Sequence, residues 1–95
     1  MITVEQCVSE VQEDMKSEGT NNYEACYHSE LYLDEFASMD AVDAANFFLE
    51  VLAKDKSLDC WVAAVLNKLY ENTDQYNLSS EWFDEILKHE SLRIF

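Results

Sequence analysis

Residues 41–53 read AVDAANFFLEVLA, and this stretch decides the fold. Apolar side chains occupy almost every position, so a helix formed here has little polar surface. Such a helix has to be surrounded by other parts of the chain, and its small alanines allow neighbouring helices to approach closely. The pattern therefore predicts a central helix over 41–53, with Asp40 as its N-cap.

Four more helical segments flank this central one in the sequence. The chain has no proline and a single glycine, a composition that favours helix throughout. Apolar residues at helical spacing predict helices over 4–17, 22–37, 58–72 and 80–90. The expected N-caps are, in the same order, Thr3, Asn21, Ser57 and Ser79. The sequence thus predicts an all-α fold, a compact bundle of about five short helices in one domain spanning residues 1–95.

The segments between the helices carry signals of their own. Gly19 follows the first helix and suits a left-handed C-terminal cap. Residues 71–77 are polar and predict the longest loop. Leu78 and Phe83 lie on either side of Ser79 in the pattern of a hydrophobic staple. The apolar tail, residues 92–95, is expected to pack back on the domain.

A short internal similarity links the third and fifth predicted helices. The sequence FFLEVL at 47–52 resembles WFDEIL at 82–87, which lies 35 residues later. This offset is typical of a helical-hairpin repeat. Two amphipathic helices also resemble each other by chance, so both explanations stay open.

The chain is strongly acidic, and its charge is unevenly distributed. Twenty Asp and Glu residues oppose six Lys and Arg residues, which gives a formal net charge of −14. No Lys or Arg lies between Lys16 and Lys54, a base-free stretch that holds eight carboxylates. Self-repulsion of this size costs stability, so the imbalance favours a role in binding a basic partner. It disfavours direct binding to nucleic-acid phosphates.

Cysteine use and hydropathy indicate a reducing compartment. The three cysteines, Cys7, Cys26 and Cys60, are odd in number and not closely paired, which is typical of free thiols in the core. The N-terminal residues lack the basic and apolar regions of a signal peptide. No apolar segment approaches the ~20 residues of a membrane span. We therefore expect a cytoplasmic protein without a membrane segment.

Signals for catalysis or cofactor binding are weak in this sequence. A single glycine cannot build a phosphate-binding loop. Cys26 and His28 form one isolated pair of zinc ligands, whereas a structural zinc site needs four. Residues 55–59 lack the glycine and the terminal Glu of a calcium loop. Cys and His residues are not accompanied by the glycines of an oxyanion hole. We expect no enzyme activity, no cofactor and no metal.

The acidic, tyrosine-rich part of the base-free stretch is the strongest functional signal. Tyrosine combines a large apolar body with a polar tip and is enriched at interface hot spots. Carboxylates accept charge-assisted hydrogen bonds from Lys and Arg. The alternative is a solvated face over a core that uses tyrosine for packing. The residues expected to bind a partner are Tyr23, Tyr27, Glu30, Asp34, Glu35, Asp40 and Asp43.

In size, acidity and helical make-up the chain resembles bacterial toxin-immunity proteins, which are paired with colicin-type or contact-dependent inhibition nuclease toxins. Residues 31–36, LYLDEF, are similar in character to the specificity helix of the colicin DNase immunity proteins. The chain has no Tyr-Tyr-Pro recognition segment, so the contact-dependent inhibition type fits better. The resemblance implies a stoichiometric inhibitor that covers the substrate groove of a basic nuclease or an adjacent exosite.

Two other functions stay open at this point. A phage-encoded nucleic-acid mimic that inhibits a restriction or CRISPR system should place its carboxylates at phosphate-like intervals over a long surface. In this chain they are concentrated in the first 53 residues, which favours a local patch. A helical adaptor module should instead bind an apolar partner with little dependence on charge.

Overall fold

The computed structural model describes residues 2–18 and 32–94, which form six α-helices and two short 3-10 turns and contain no β-strand. The helices are α1 (Val4–Glu18), α2 (Leu33–Ser38), α3 (Ala41–Lys54), α4 (Asp59–Glu71), α5 (Thr73–Tyr76) and α6 (Ser80–Leu87). The 3-10 turns are Lys56–Leu58 and Glu90–Leu92. The predicted all-α bundle is confirmed.

Helix α3 is the centre of the bundle, as its apolar sequence predicts. It packs against α1, α6 and both 3-10 turns. Its small residues Ala44 and Ala45 are fully buried, and this allows close approach of the neighbouring helices. The similar segments 47–52 and 82–87 lie in α3 and α6, which pack against each other. A repeat origin for this pair stays a prediction.

Aromatic rings attach the short helix α2 to this centre. The buried ring of Phe36 lies with its centroid 5.3 Å from that of Phe47 and 5.0 Å from that of Phe48. It also meets Trp61 of α4 edge-on, at 6.0 Å between centroids. These tilted arrangements are the ones that aromatic pairs prefer. A helix of six residues is unstable alone, so tertiary packing at Phe36 holds it.

Two of the predicted caps are present in atomic detail. The Thr3 hydroxyl accepts a hydrogen bond from the Gln6 N–H at 3.1 Å, and Gln6 Oε1 accepts one from the Thr3 N–H at 3.0 Å. This reciprocal pair is a capping box at the start of α1. At the start of α6, the Ser79 hydroxyl accepts from the Trp82 N–H at 3.4 Å.

Helix α2 is shorter than predicted. Tyr32 has φ 65° and ψ 18°, and the helix begins only at Leu33, so a continuous helix over 22–37 is wrong. The left-handed conformation costs a bulky residue about 1–2 kcal/mol, which the packing around Tyr32 has to offset. The earlier part of that predicted helix, with its cap Asn21, lies outside the described residues, as does Gly19.

The entry to α4 also differs from the prediction. Ser57 does not cap the helix. Instead, the Asp55 carboxylate accepts hydrogen bonds from the Ser57 N–H, at 2.9 Å, and from the Ser57 hydroxyl. These bonds cap the 3-10 turn Lys56–Leu58, which leads directly into α4. Asp40 does precede α3, but its side chain makes no capping hydrogen bond.

The C-terminal third differs from the prediction in two ways: it contains an additional helix, and its last helix is shorter than expected. Residues 71–77 are not a plain loop, because they include α5, which is followed by Asn77 with φ 53°. Asparagine tolerates this left-handed conformation well. Helix α6 ends at Leu87 rather than at residue 90. Of the predicted tail, Leu92 packs back and is fully buried, whereas Arg93 and Ile94 are exposed and residue 95 lies outside the described residues. None of the helices in the described part of the chain is long and apolar enough to cross a membrane.

Phe36→Ala should lower the free energy of unfolding by about 3–5 kcal/mol, because it leaves a cavity among three aromatic rings. Urea denaturation followed by circular dichroism measures this loss. Phe36→Leu is the matched control, since it keeps most of the apolar volume and should cost clearly less. Equal losses for the two variants would show that the ring is not what anchors α2.

The Asp55 cap should give the protein a measurable acid sensitivity. The side-chain hydrogen bond from Ser57, and to a smaller extent the one from Gln12 at 2.7 Å, holds the pKa of Asp55 below its ordinary value of 3.8. A lowered folded-state pKa means that the ionised carboxylate stabilises the fold above that ordinary value and loses this effect as pH falls through the folded-state pKa.

Asp55→Asn should therefore be less stable than the parent near neutral pH, and the difference should shrink as pH falls below 3.8. Thermal unfolding over an acid pH series measures it. Glu50→Gln, at an exposed position of α3, controls for the change of net charge. A stability difference that stays constant down to acid pH would contradict the assignment.

Candidate partner-binding site

The described residues include four of the seven predicted binding residues. Asp34, Asp40 and Asp43 are exposed, and Glu35 is half-buried. Asp34 and Glu35 lie in the first turn of α2, and Asp43 lies in the first turn of α3. The other three predicted residues lie outside the described residues: Tyr23, Tyr27 and Glu30.

Glu35 has a structural contact that the sequence does not reveal. Its carboxylate accepts a hydrogen bond from the Ile2 N–H at 3.0 Å, across 33 residues of chain. Ile2 itself is half-buried and packs against the core. The contact holds the beginning of the described chain against α2. Glu35 is therefore less free to meet a partner than Asp34.

Asp34 and Glu35 line a groove of about 610 Å³ between α2 and the corner where α4 meets α5. Two half-buried tyrosines, Tyr32 and Tyr76, also line it. Lys68 lies in the same groove and offsets part of its negative charge. The remaining lining residues are Leu33, Asn72 and Gln75.

Asp40 lies in a different groove, of about 420 Å³, which we call the α3–α6 groove. It is formed by the N-terminal ends of α3 and α6, and its lining residues are Asp40, Ala41, Val42, Ser79, Glu81, Trp82 and Glu85. The predicted binding residues are thus divided between two grooves. Asp43 is exposed on α3, one turn beyond Asp40.

The sequence interpretation missed Glu81 and Glu85 because it weighted the base-free stretch, which ends before Lys54. A signal for them was present. The two carboxylates are four residues apart and so lie on one face of α6, on either side of Trp82 in the sequence. That these two carboxylates lie close to Asp40 depends on tertiary structure, since some 40 residues separate α6 from the start of α3.

A buried hydrogen bond fixes the geometry of the α3–α6 groove. The Trp82 Nε1–H donates to the Met39 carbonyl oxygen at 3.1 Å. Met39 connects α2 to α3 and directly precedes Asp40, so this bond ties that connection to α6. It also satisfies a main-chain carbonyl that would be costly to bury unpaired.

Most of the carboxylates in these grooves form no ion pair with another described residue. Within the described residues, Asp34, Asp40 and Glu81 take part in no ion pair. Glu85 differs, because Lys88 Nζ lies 2.7 Å from its carboxylate. That hydrogen bond raises the pKa of Lys88. An exposed pair of this kind contributes little to stability.

The buried thiol of Cys7 is unsuited to reactive chemistry. Burial raises the pKa of the Cys7 thiol to about 12, with smaller contributions from the charges of Glu10 and Glu35. A thiol with this pKa stays protonated near neutral pH and is a poor nucleophile. Cys60 is half-buried. Among the described residues, no group of three or more His, Cys, Asp or Glu side chains is arranged to hold a metal ion.

Comparison with protein-family models, with curated protein sequences and with solved structures gives no match for this chain.

Trp82→Phe should lower the free energy of unfolding by about 1–3 kcal/mol, because it leaves the buried Met39 carbonyl unpaired. It should also speed hydrogen exchange at the amides that follow Met39. Phe83→Leu is the matched control, since it removes aromatic volume from the same helix and keeps the bond. Unchanged exchange in Trp82→Phe would show that the bond does not fix the start of α3.

Proposed function

We propose that this protein is a stoichiometric inhibitor, of the immunity type, that binds and neutralises a basic nuclease toxin in the cytoplasm. The observation that carries the proposal is the set of exposed carboxylates in and beside the two grooves, of which Asp34, Asp40, Asp43 and Glu81 form no ion pair within the described residues. Carboxylates that have no internal partner are available to Lys and Arg of another protein.

The surroundings of these carboxylates support a protein partner. Tyr32 and Tyr76 line the first groove, and Val42 and Trp82 line the second. Aromatic and apolar groups supply binding energy when a partner covers them, whereas charge alone mainly speeds the encounter. A surface that offers both suits a basic protein better than a small cation.

The mechanism we propose is occlusion rather than catalysis. The negative field attracts the toxin, whose nucleic-acid groove has to be basic to hold phosphates. The bound inhibitor then covers that groove or its margin and keeps the substrate out. An interface of about 1,200–2,000 Å² in total is sufficient for a stable complex of this kind.

A nucleic-acid mimic is the second candidate, and salt dependence separates the two. A mimic binds mainly through charge, so its affinity should fall steeply as salt rises. An inhibitor that also buries apolar and aromatic groups should lose less. The division of the carboxylates between two grooves, each of which also carries apolar or aromatic side chains, favours the inhibitor.

The proposed function is tested by co-expressing the tagged chain with the adjacent open reading frame and assaying the captured protein for nuclease activity. We expect a basic nuclease, silenced at one-to-one stoichiometry. Capture of a restriction or CRISPR complex would favour the mimic instead. If neither kind of protein is captured, the acidic surface is a solvated face.

The double substitution Asp34→Lys with Asp40→Lys should weaken binding of the captured nuclease at least about tenfold, because it places positive charge in both grooves. Surface plasmon resonance at two salt concentrations measures the affinity. The matched control is Glu13→Lys with Glu50→Lys, which makes the same change of net charge at exposed positions outside the two grooves. Equal losses in the two variants would point to total charge rather than to these grooves.

A further inference from the structure

Val42 is an unusual residue of α3. It is 47% exposed, although most of the apolar side chains of this central helix face the core. Two other large apolar side chains are exposed in the described part of the chain. Tyr70 packs its ring edge-on against Phe83, at 5.3 Å between centroids, and Ile94 lies in the tail. Only Val42 of these three lines a groove bordered by three carboxylates.

The α3–α6 groove is already formed without a partner. Its inner wall includes Trp82, which is held by the Met39 carbonyl through its indole and by Ser79 through its backbone N–H. Ala41 adds a small half-buried side chain beside Val42. A groove with fixed walls requires little ordering when a ligand enters it, and this favours affinity.

The charges around the groove restrict what can cover Val42. Asp40 and Glu81 are exposed carboxylates and form no ion pair within the described residues, while Glu85 is paired with Lys88. An acidic segment that covered Val42 would meet like charge, and a neutral one would bury carboxylates without partners. A segment with Lys or Arg next to an apolar residue can cover Val42 with the apolar side chain and pair its bases with the carboxylates around the groove.

Helix stabilisation explains only part of this arrangement. A carboxylate in the first turn of a helix, such as Glu81 in α6, interacts favourably with the helix dipole. That effect does not account for Glu85, which lies in the later part of α6, or for the exposure of Val42. The unfolding free energy reports the helix effect, whereas the affinity for a basic ligand reports binding, so the two are separable.

We propose that the α3–α6 groove binds a short basic segment of the partner protein, in which an apolar side chain covers Val42 and flanking Lys or Arg side chains bond to Asp40 and Glu81. This inference rests on the proposed function in so far as the partner is basic, and it names the site and the chemistry of the contact. The aliphatic stem of a Lys or Arg side chain can extend the apolar contact across the edge of Trp82 while its charged head reaches the rim.

The probe is a synthetic peptide of alternating Lys and Leu, compared with a peptide of alternating Lys and Ser that has the same charge. Fluorescence anisotropy gives the affinity, and nuclear magnetic resonance shifts give the location. We expect the Lys–Leu peptide to bind more tightly and to shift the Trp82 indole N–H and the amides of Val42 and Glu81. Equal binding of both peptides, or shifts spread over the whole surface, would overturn the proposal.

Val42→Ser and Glu81→Lys should each weaken binding of the Lys–Leu peptide about threefold to tenfold. Ile94→Ser and Glu50→Lys are the matched controls, since they change an exposed apolar residue and an exposed carboxylate outside the groove. They should change the affinity less than about twofold. Thermal unfolding verifies that each variant is folded, and Val42→Thr, which keeps the shape of the side chain, replaces Val42→Ser if that variant unfolds. Losses in the controls equal to those in the groove variants would overturn the site.

The same variants separate the failure of this inference from the failure of the proposed function. If the groove binds the peptide but no nuclease is captured, the site stands and the immunity function falls. If a nuclease is captured and silenced equally well by the parent, Val42→Ser and Glu81→Lys, the function stands and the groove is not its binding site.

Discussion

Burial of the apolar surface of α3 is the interaction on which the rest of this structure depends. A helix with so little polar surface is stable only when other helices cover it, and α1, α6 and the two 3-10 turns do so. The short helix α2 reaches the same centre through the ring of Phe36. Because Phe47 and Phe48 meet that ring from adjacent positions of α3, the placement of α2 follows from the packing of α3. The acidic residues at the start of α2 and α3 are therefore positioned by the packing of this core.

The same packing determines where negative charge collects. The chain has few bases, and in the described residues Lys54 pairs with Glu5 and Lys88 with Glu85. Neither pair involves the carboxylates of α2 or the first turn of α3. Apart from the partial offset by Lys68 in the first groove, the described residues place no base beside those groups, and their mutual repulsion costs stability. The fold thus combines an unfavourable charge distribution with a well-packed core, which is the arrangement from which we propose a basic partner.

The fold was largely predictable from sequence, and the grouping of the site residues was not. The central position of α3, the Thr3 capping box and the Ser79 cap follow from local patterns that involve a few neighbouring residues. The left-handed conformation of Tyr32 could not be predicted, because an aromatic residue has no preference for that conformation. Likewise, the contact of Trp82 with Met39 joins residues 43 positions apart. It brings Glu81 and Glu85 beside Asp40, a neighbourhood that no local pattern encodes.

The hydrogen bond from the Ile2 N–H to Glu35 has a consequence for how this protein can vary. The donor is a main-chain amide, so every residue except proline at position 2 supplies it. The acceptor is a side chain, and aspartate would be one methylene too short to keep the same reach. Variation in related sequences should therefore be restricted at position 35 and broad among apolar residues at position 2. In a contact of this kind only one of the two positions is restricted in sequence. Methods that infer contacts from paired substitutions would therefore not detect it.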